Sequence, residues 1–110
     1  MSIFRVLGIV NAIGPCTIAE AGTAFAWVEF IESGGSVRRI DNLATRTEIA
    51  RLIEPDAIGA WYVQEIGGSH RMLAVERGDG PRAIDRDAVD ACLAGELAEL
   101  RASPTRVPAR

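Results

Sequence analysis

The feature that most constrains the fold is a pair of Gly-Gly turns, Gly34-Gly35 and Gly67-Gly68, each lying between two runs of strand-forming residues. Val, Ile, Phe and Trp favour extended backbone, and glycine adopts the conformations that a tight hairpin turn needs. The sequence therefore predicts two β-hairpins. Their four strands are predicted over residues 23–32, 36–43, 57–66 and 70–77.

A further apolar run precedes both hairpins, at residues 3–13, and ends at Gly14-Pro15. Ile, Val, Phe and Leu occupy both sets of alternating positions in it. Alternate side chains of a strand point to opposite faces, so both faces of this one are apolar. We expect a strand that packs into the core on one face and is covered on the other by a helix or a second subunit.

A short helix is predicted between the hairpins. The segment Thr45-Arg46-Thr47-Glu48 matches a capping box, in which the first threonine hydroxyl accepts a hydrogen bond from the amide of the glutamate. Ile49, Leu52 and Ile53 follow at helical spacing and form one apolar stripe. Pro55 is predicted to end the helix, because the residue before a proline avoids helical backbone angles.

A longer helix is predicted near the C-terminus, after the segment 78–81 has ended the sheet. Asp85 is a suitable N-cap, and Asp87 and Asp90 lie where negative charge favours the helix dipole. One apolar stripe continues to Arg101 through Val89, Cys92, Leu93, Leu97 and Leu100. This stripe needs a surface to pack against.

The predicted fold class is α+β: a small five-stranded antiparallel β-barrel with a C-terminal α-helix. The order strand-strand-strand-helix-strand-strand resembles that of an OB-type barrel. A rolled antiparallel sheet with two helices would give the same order. Residues 1–102 are expected to form one domain, and residues 103–110, with two prolines and no apolar period, a flexible tail.

The charged residues exclude several classes of function. The net charge is −3, and all 12 basic residues are arginine. A chain without lysine has neither a Schiff-base nucleophile nor a phosphate-loop lysine. The acidic balance also disfavours nucleic acid, which binds basic surfaces.

The cysteines and the histidine give little support for metal binding or catalysis. Cys16, Cys92 and His70 are the only Cys and His residues, whereas a structural zinc site needs four such ligands. We expect two partly buried, reduced cysteines, an exposed His70 beside its turn, no metal, no cofactor and no enzymatic activity. The acidic residues 79, 85, 87 and 90 lack EF-hand spacing and are expected to be capping or solvated groups.

The N-terminal apolar stretch raises the question of a signal peptide. Asn11 and Pro15 interrupt it, and no run is long enough to span a membrane. We therefore expect a cytoplasmic protein.

The two hairpins resemble each other. Trp27 and Trp61 precede Gly34-Gly35 and Gly67-Gly68 at similar distances. Any two hairpins share strand formers and a glycine turn, whereas a true duplication would make the two tryptophans equivalent; both interpretations stay open.

The predicted function is a non-enzymatic protein-binding or accessory module that self-associates, because the apolar strands and the terminal helix carry more apolar surface than one small barrel can cover. The alternative is single-stranded nucleic-acid binding, with bases stacked on aromatic side chains beside arginines. In the Trp61-Tyr62 pair, one side chain is expected in the core and the other at the surface. The candidate interaction residues are Trp27, Arg38, Arg39, Trp61, Tyr62, Arg71, Leu97 and Leu100.

Overall fold

The structure, a computed structural model, describes the backbone of residues 2–102 and the side chains of residues 2–94. Within this range the chain is α+β, with seven strands and two helices. These elements are β1 (Ser2–Ile13), β2 (Cys16–Ala19), β3 (Gly22–Glu32), β4 (Val37–Thr45), α1 (Thr47–Ala50), β5 (Ile58–Ile66), β6 (Ser69–Arg77), β7 (Arg82–Ile84) and α2 (Arg86–Ala102).

The five predicted strands correspond to β1, β3, β4, β5 and β6. The two short strands were not predicted, and the expectation that residues 78–81 end the sheet is wrong, because β7 follows them and pairs with β6. β2 has four residues and β7 has three, too few for an alternating pattern to be visible. The predicted tail, residues 103–110, lies outside the described residues.

The sheet is ring-like. Its strand order is β1-β5-β6-β4-β3-β2, and β3 also pairs with β1. β1 makes both contacts because its first part pairs with β5 and its second part with β3. β2 and β7 extend the sheet beyond this ring of five strands.

One contact in the ring is parallel, so the prediction of a purely antiparallel sheet is wrong. β4 and β6 run in the same direction and pair over only two positions, Leu43 with His70 and Ala44 with Arg71. A helix and a further strand connect them, and such a crossover is what a parallel pair requires.

Two glycines allow the strands to meet at β1. Gly8 pairs with Glu32 on one side and with Gly59 on the other. A Cβ atom at Gly8 would overlap the carbonyl oxygen of Ile31, and one at Gly59 would lie 2.5 Å from that of Glu76. Both positions therefore need glycine because a neighbouring backbone approaches closely.

The core lies inside the ring. Trp61 and Phe30 are its largest fully buried side chains, α1 contributes Ile49, and the segment that follows α1 contributes Ile53. From β1 the core receives Val6 and Val10. The opposite face of β1 is less covered than the sequence predicts.

On that opposite face, Ile3 is 44% exposed and Leu7 is 42% exposed. The helix α1 packs against β3, β6 and β7, and the described side chains of α2 pack against β6 and against Tyr62 of β5, so these parts of the helices do not cover Ile3 or Leu7. An apolar strand face is therefore left open to solvent.

The short helix α1 occurs where it was predicted, but the predicted capping box is wrong. The helix begins at Thr47, and its N-cap residue, Arg46, makes no side-chain capping bond. The Thr45 hydroxyl instead donates to the carbonyl oxygen of Thr23 at 2.9 Å, because Thr45 is the last residue of β4. The helix ends at Ala50, before the residues that Pro55 constrains.

The predicted N-cap of α2 is confirmed. The carboxylate of Asp85 accepts a hydrogen bond from the backbone amide of Ala88 at 3.0 Å. Ala88 and Cys92 then pack against Leu73 of β6 in a second, smaller cluster that Tyr62 and Val89 also contact. The first turns of α2 therefore lie against the outside of β6.

Candidate interaction surface

Apolar side chains form a row across four neighbouring strands on the outside of the sheet. Ile9 of β1 lies opposite Ile31 of β3 and Ile58 of β5, and Ile31 lies opposite Val37 of β4. Directly paired residues share a face of the sheet, so these four side chains are neighbours. Ile58 is 61% exposed and Val37 is 62% exposed.

Two adjoining rows continue this surface towards β7. In one, Leu7 lies opposite Ala60. In the other, Tyr62 lies opposite Ala74, which lies opposite Ile84. Together with Ile3 these side chains form what we term the outer apolar face: Ile3, Leu7, Ile9, Ile31, Val37, Ile58, Ala60, Tyr62, Ala74 and Ile84.

Charged side chains flank the β5 part of this face. Arg5 on β1 lies opposite Tyr62, and Glu76 on β6 lies opposite Ala60. The Tyr62 hydroxyl donates to the Glu76 carboxylate at 3.1 Å, which orients that carboxylate. An open depression of about 380 Å³ lies beside them, between Tyr62 and Arg82.

Trp27 and Arg39, both predicted as interaction residues, contact each other. The Arg39 guanidinium carbon lies 4.6 Å from the centroid of the Trp27 ring, in cation–π geometry. A Cβ atom at Gly14 would lie 2.6 Å from the same ring, so the indole also rests against the backbone there. Arg39 is held by Asp41 at 3.0 Å. Part of the Trp27 ring is therefore already covered.

Arg38, the neighbour of Arg39, lies on the other side of β4. Its guanidinium carbon lies 4.2 Å from the centroid of the Phe4 ring, and it approaches Glu32 at 3.8 Å. Phe4 packs against the core. Arg38 therefore covers an edge of the core rather than the outer apolar face.

Trp61 is fully buried, so its assignment to an interaction surface is wrong. Its Nε1 donates to the carbonyl oxygen of Gly8 at 3.1 Å, and its ring centroid lies 5.4 Å from that of Phe30. Tyr62, the next residue, is half-buried on the outer side. The expectation that one member of this pair lies in the core and the other at the surface is confirmed.

No family model, curated protein or solved structure matches this chain.

Arg71 forms an ion pair at the start of α2. Its Nε and Nη2 atoms donate to the buried Asp85 carboxylate at 3.2 and 3.0 Å. Asp85 also caps the helix, so one carboxylate joins β6 to α2. The other two candidate residues, Leu97 and Leu100, have side chains outside the described part of the structure.

Replacing Asp85 by alanine is expected to lower the free energy of unfolding by about 1–2 kcal/mol, because the N-cap bond is lost. The loss of the ion pair adds less, since Arg71 is partly exposed and can turn to solvent. Urea unfolding followed by circular dichroism measures the change.

Asp87→Ala is the matched control. Asp87 lies two residues further on, is exposed, and pairs with Arg46 at 3.0 Å. An exposed ion pair contributes less than about 0.5–1 kcal/mol, so this variant should unfold close to the parent. Equal losses in the two variants would show that Asp85 does not act as the cap.

His70 is not the exposed turn residue that was expected. It lies within β6, and its side chain is only 14% exposed. Its Nδ1 atom is 2.6 Å from the carbonyl oxygen of Asp41, and its ring meets that of Phe4 edge-on. These contacts give His70 a structural role between β4 and β6.

One of the two cysteines differs from the expectation that both are partly buried. Cys92 of α2 is buried against β6, whereas Cys16 is exposed on β2. In the described residues no three His, Cys, Asp or Glu side chains are grouped as a metal site would require. Asp79 pairs with Arg77 at 2.7 Å, and hydrogen bonds from Arg77 hold the pKa of Asp79 below its ordinary value.

Two adjoining open depressions, of about 400 and 390 Å³, lie over β2, β3 and β4. Both are lined by Thr17, Ala24 and Ala44, which are cross-strand neighbours with small side chains. Arg71 and Asp85 at one end bind each other. The charged groups at this end are therefore already paired.

Arg5, Ile58, Glu76 and Ile84 were not predicted as interaction residues. The apolar residues at both alternating positions of β1 indicated a second covered face, but not which residues on other strands lie beside it. That information depends on register, which a single sequence does not encode locally.

None of the helices in the described part of the chain combines the length and apolar character that crossing a membrane requires.

Proposed function

We propose that this chain is a non-enzymatic interaction module that binds a second copy of itself through the outer apolar face. The observation that carries the proposal is the continuity of that face, in which Ile31, Ile9 and Ile58 are direct neighbours on three strands. A contiguous exposed apolar surface of this kind is typical of an interface between subunits.

We also propose that the ring of five strands is a small barrel of OB type. The order β1-β5-β6-β4-β3, the return of β3 to β1 and the position of α1 between β4 and β5 support this. A barrel buries the inward side chains of β1 and leaves the outward ones to be covered by something else. The exposed Ile3 and Leu7 fit that arrangement.

Single-stranded nucleic-acid binding has less support. Stacking needs exposed aromatic faces beside basic groups. Trp61 lies in the core, Arg39 covers one side of Trp27, and the chain has a net charge of −3. Catalysis has less support too, because His70 is engaged by the Asp41 carbonyl.

We expect the parent protein to be a homodimer and Ile58→Asp to be a monomer. Ile58 lies in the row of isoleucines. An aspartate there would lose its hydration on dimerisation, and the apolar contact offers its carboxylate no hydrogen-bond donor. A rise of about 100-fold or more in the dimer dissociation constant is expected. Size-exclusion chromatography with light scattering over a dilution series measures it.

Ile18→Asp is the matched control, since Ile18 is a strand isoleucine that is 79% exposed but lies on β2, outside the outer apolar face. It should leave the dimer unchanged. Leu93→Asp tests the alternative contact through α2, where Leu93 is exposed. A monomeric parent would refute self-association, and a dimer that survives Ile58→Asp would exclude this face as the contact.

A further inference from the structure

We infer that the ring of five strands opens at one end of the contact between β4 and β6 while the β3–β4 and β5–β6 hairpins stay folded, and that His70 is the latch that holds this end closed. We term this contact the seam; it pairs Leu43 with His70 and Ala44 with Arg71. None of these four residues belongs to the outer apolar face, so the inference is independent of the proposed self-association.

The seam is the shortest contact in the ring. Its two pairs are parallel, whereas the other four contacts of the ring are antiparallel and cover more positions. Parallel pairing is also slightly less stable per residue than antiparallel pairing. We therefore expect the ring to open at the seam at a lower free energy than elsewhere.

Each strand at the seam keeps its other partner when the seam opens. β4 pairs with β3 along its length, and β6 pairs in the same way with β5. β1 joins the two hairpins, because it pairs with both β3 and β5 and at Gly8 with both at once. The hairpins can therefore separate at the seam, about β1, without breaking the ladders within them.

The two ends of the seam differ. At one end α1 follows Thr45 and packs against β3 as well as against β6 and β7, so that it bridges the hairpins. Arg46 at the same end pairs with Asp87 of α2 at 3.0 Å. At the other end the His70 side chain crosses the seam, with its Nδ1 atom 2.6 Å from the carbonyl oxygen of Asp41. Opening is therefore expected at the His70 end, away from α1.

The His70 imidazole is held on the β5 side of the seam. Its Nε2 atom lies 3.7 Å from the Glu65 carboxylate of β5, and it packs edge-on against Phe4 of β1. Its hydrogen bond to Asp41 is what reaches β4. Arg38 of β4 also lies over Phe4, but its guanidinium is partly exposed, and such cation–π contacts contribute little. Loss of the imidazole therefore removes the main link at this end.

β4 is irregular where the latch meets it. Asn42 has a φ of 51°, a left-handed conformation that interrupts the extended strand directly before the seam. The next residue, Leu43, is fully buried and lies opposite His70. Opening exposes Leu43 to water, and this cost keeps the open state a minor one. A thiol at position 43 therefore reports on the opening.

Thiol labelling of Leu43→Cys in the full chain measures the opening. A buried thiol reacts when the structure around it opens, and mass spectrometry of the digested protein separates this thiol from Cys16 and Cys92. We expect labelling at least about tenfold faster than the global unfolding of the same variant allows. Urea unfolding of that variant gives the global value. Val6→Cys, at a fully buried position of β1, should be labelled at the rate that global unfolding sets.

His70→Ala in the Leu43→Cys protein tests the latch. Because the link to Asp41 is lost, labelling at position 43 should rise about tenfold beyond any change that global unfolding accounts for. Asn11→Ala is the matched control, since the Asn11 side chain donates to the Glu29 carboxylate at 2.7 Å and joins β1 to β3, away from the seam. It should leave the labelling rate at position 43 within about twofold.

Three results would overturn the inference. Labelling of position 43 at the global rate would show that the seam does not open by itself. Equally fast labelling at position 6 would show that the opening is not confined to the seam. A rate at position 43 that His70→Ala leaves unchanged, or that Asn11→Ala raises as much, would show that His70 is not the latch.

Discussion

Trp61→Ala is expected to lower the free energy of unfolding by about 3–5 kcal/mol, a large share of the roughly 5–15 kcal/mol that holds a small domain folded. Trp61 is fully buried inside the ring and contacts Phe30, and the substitution leaves a cavity there. It also removes the hydrogen bond from Nε1 to the Gly8 carbonyl oxygen. Urea unfolding followed by far-ultraviolet circular dichroism measures the loss.

Trp27→Ala is the matched control, because the same side chain is removed from the corresponding position of the other hairpin. Trp27 is only half-buried and lies against Gly14 and Arg39. A loss of about 1 kcal/mol is expected. Equal losses at the two positions would support the duplicated-hairpin interpretation, in which the tryptophans are equivalent.

The two tryptophans show how far local pattern could predict this fold. Both hairpins were predicted because their glycines and strand formers are local signals. The sequence did not reveal that Trp61 points into the core while Trp27 does not. Which face of a strand is buried depends on its pairing. Asn42, which has a φ of 51°, lies in the middle of β4, the strand that pairs with β3 opposite Trp27.

The helices illustrate the same limit. Asp85 was predicted correctly as a cap because its bond to Ala88 is local. The Thr45 cap failed because a non-local partner, the carbonyl of Thr23, engages its hydroxyl. A side chain near a helix start can bond to the helix or to a neighbouring strand, and the sequence shows only the first option.

The interaction surface was predictable in kind and not in detail. The apolar residues at both alternating positions of β1 predicted a second face that a helix or a second subunit covers, and Leu7 remains partly exposed there. Its continuation to Ile58 and the position of Glu76 follow from the pairing of β1 with β5 and of β5 with β6. Those pairings join residues about 50 positions apart in the first case, beyond the reach of local periodicity.

Gly8→Ala is expected to destabilise the protein by about 3 kcal/mol or more, because the added methyl group would overlap the carbonyl oxygen of Ile31 and lie 2.9 Å from the Cα atom of Glu32. These are backbone atoms and cannot turn aside as a flexible side chain would. β1 must then move away from β3, and the ring of pairings opens at the strand that joins its ends. Thermal and urea unfolding measure the loss.

Gly34→Ala separates this overlap from the general effect of replacing a glycine. A Cβ atom at Gly34 meets no heavy atom within 4 Å, so the free energy of unfolding of this variant should stay within about 0.5–1 kcal/mol of that of the parent. Because Gly8 holds Ile9 between Ile31 and Ile58, Gly8→Ala should also weaken self-association. A Gly8→Ala protein as stable as the parent would mean that β1 does not join the two ends of the ring.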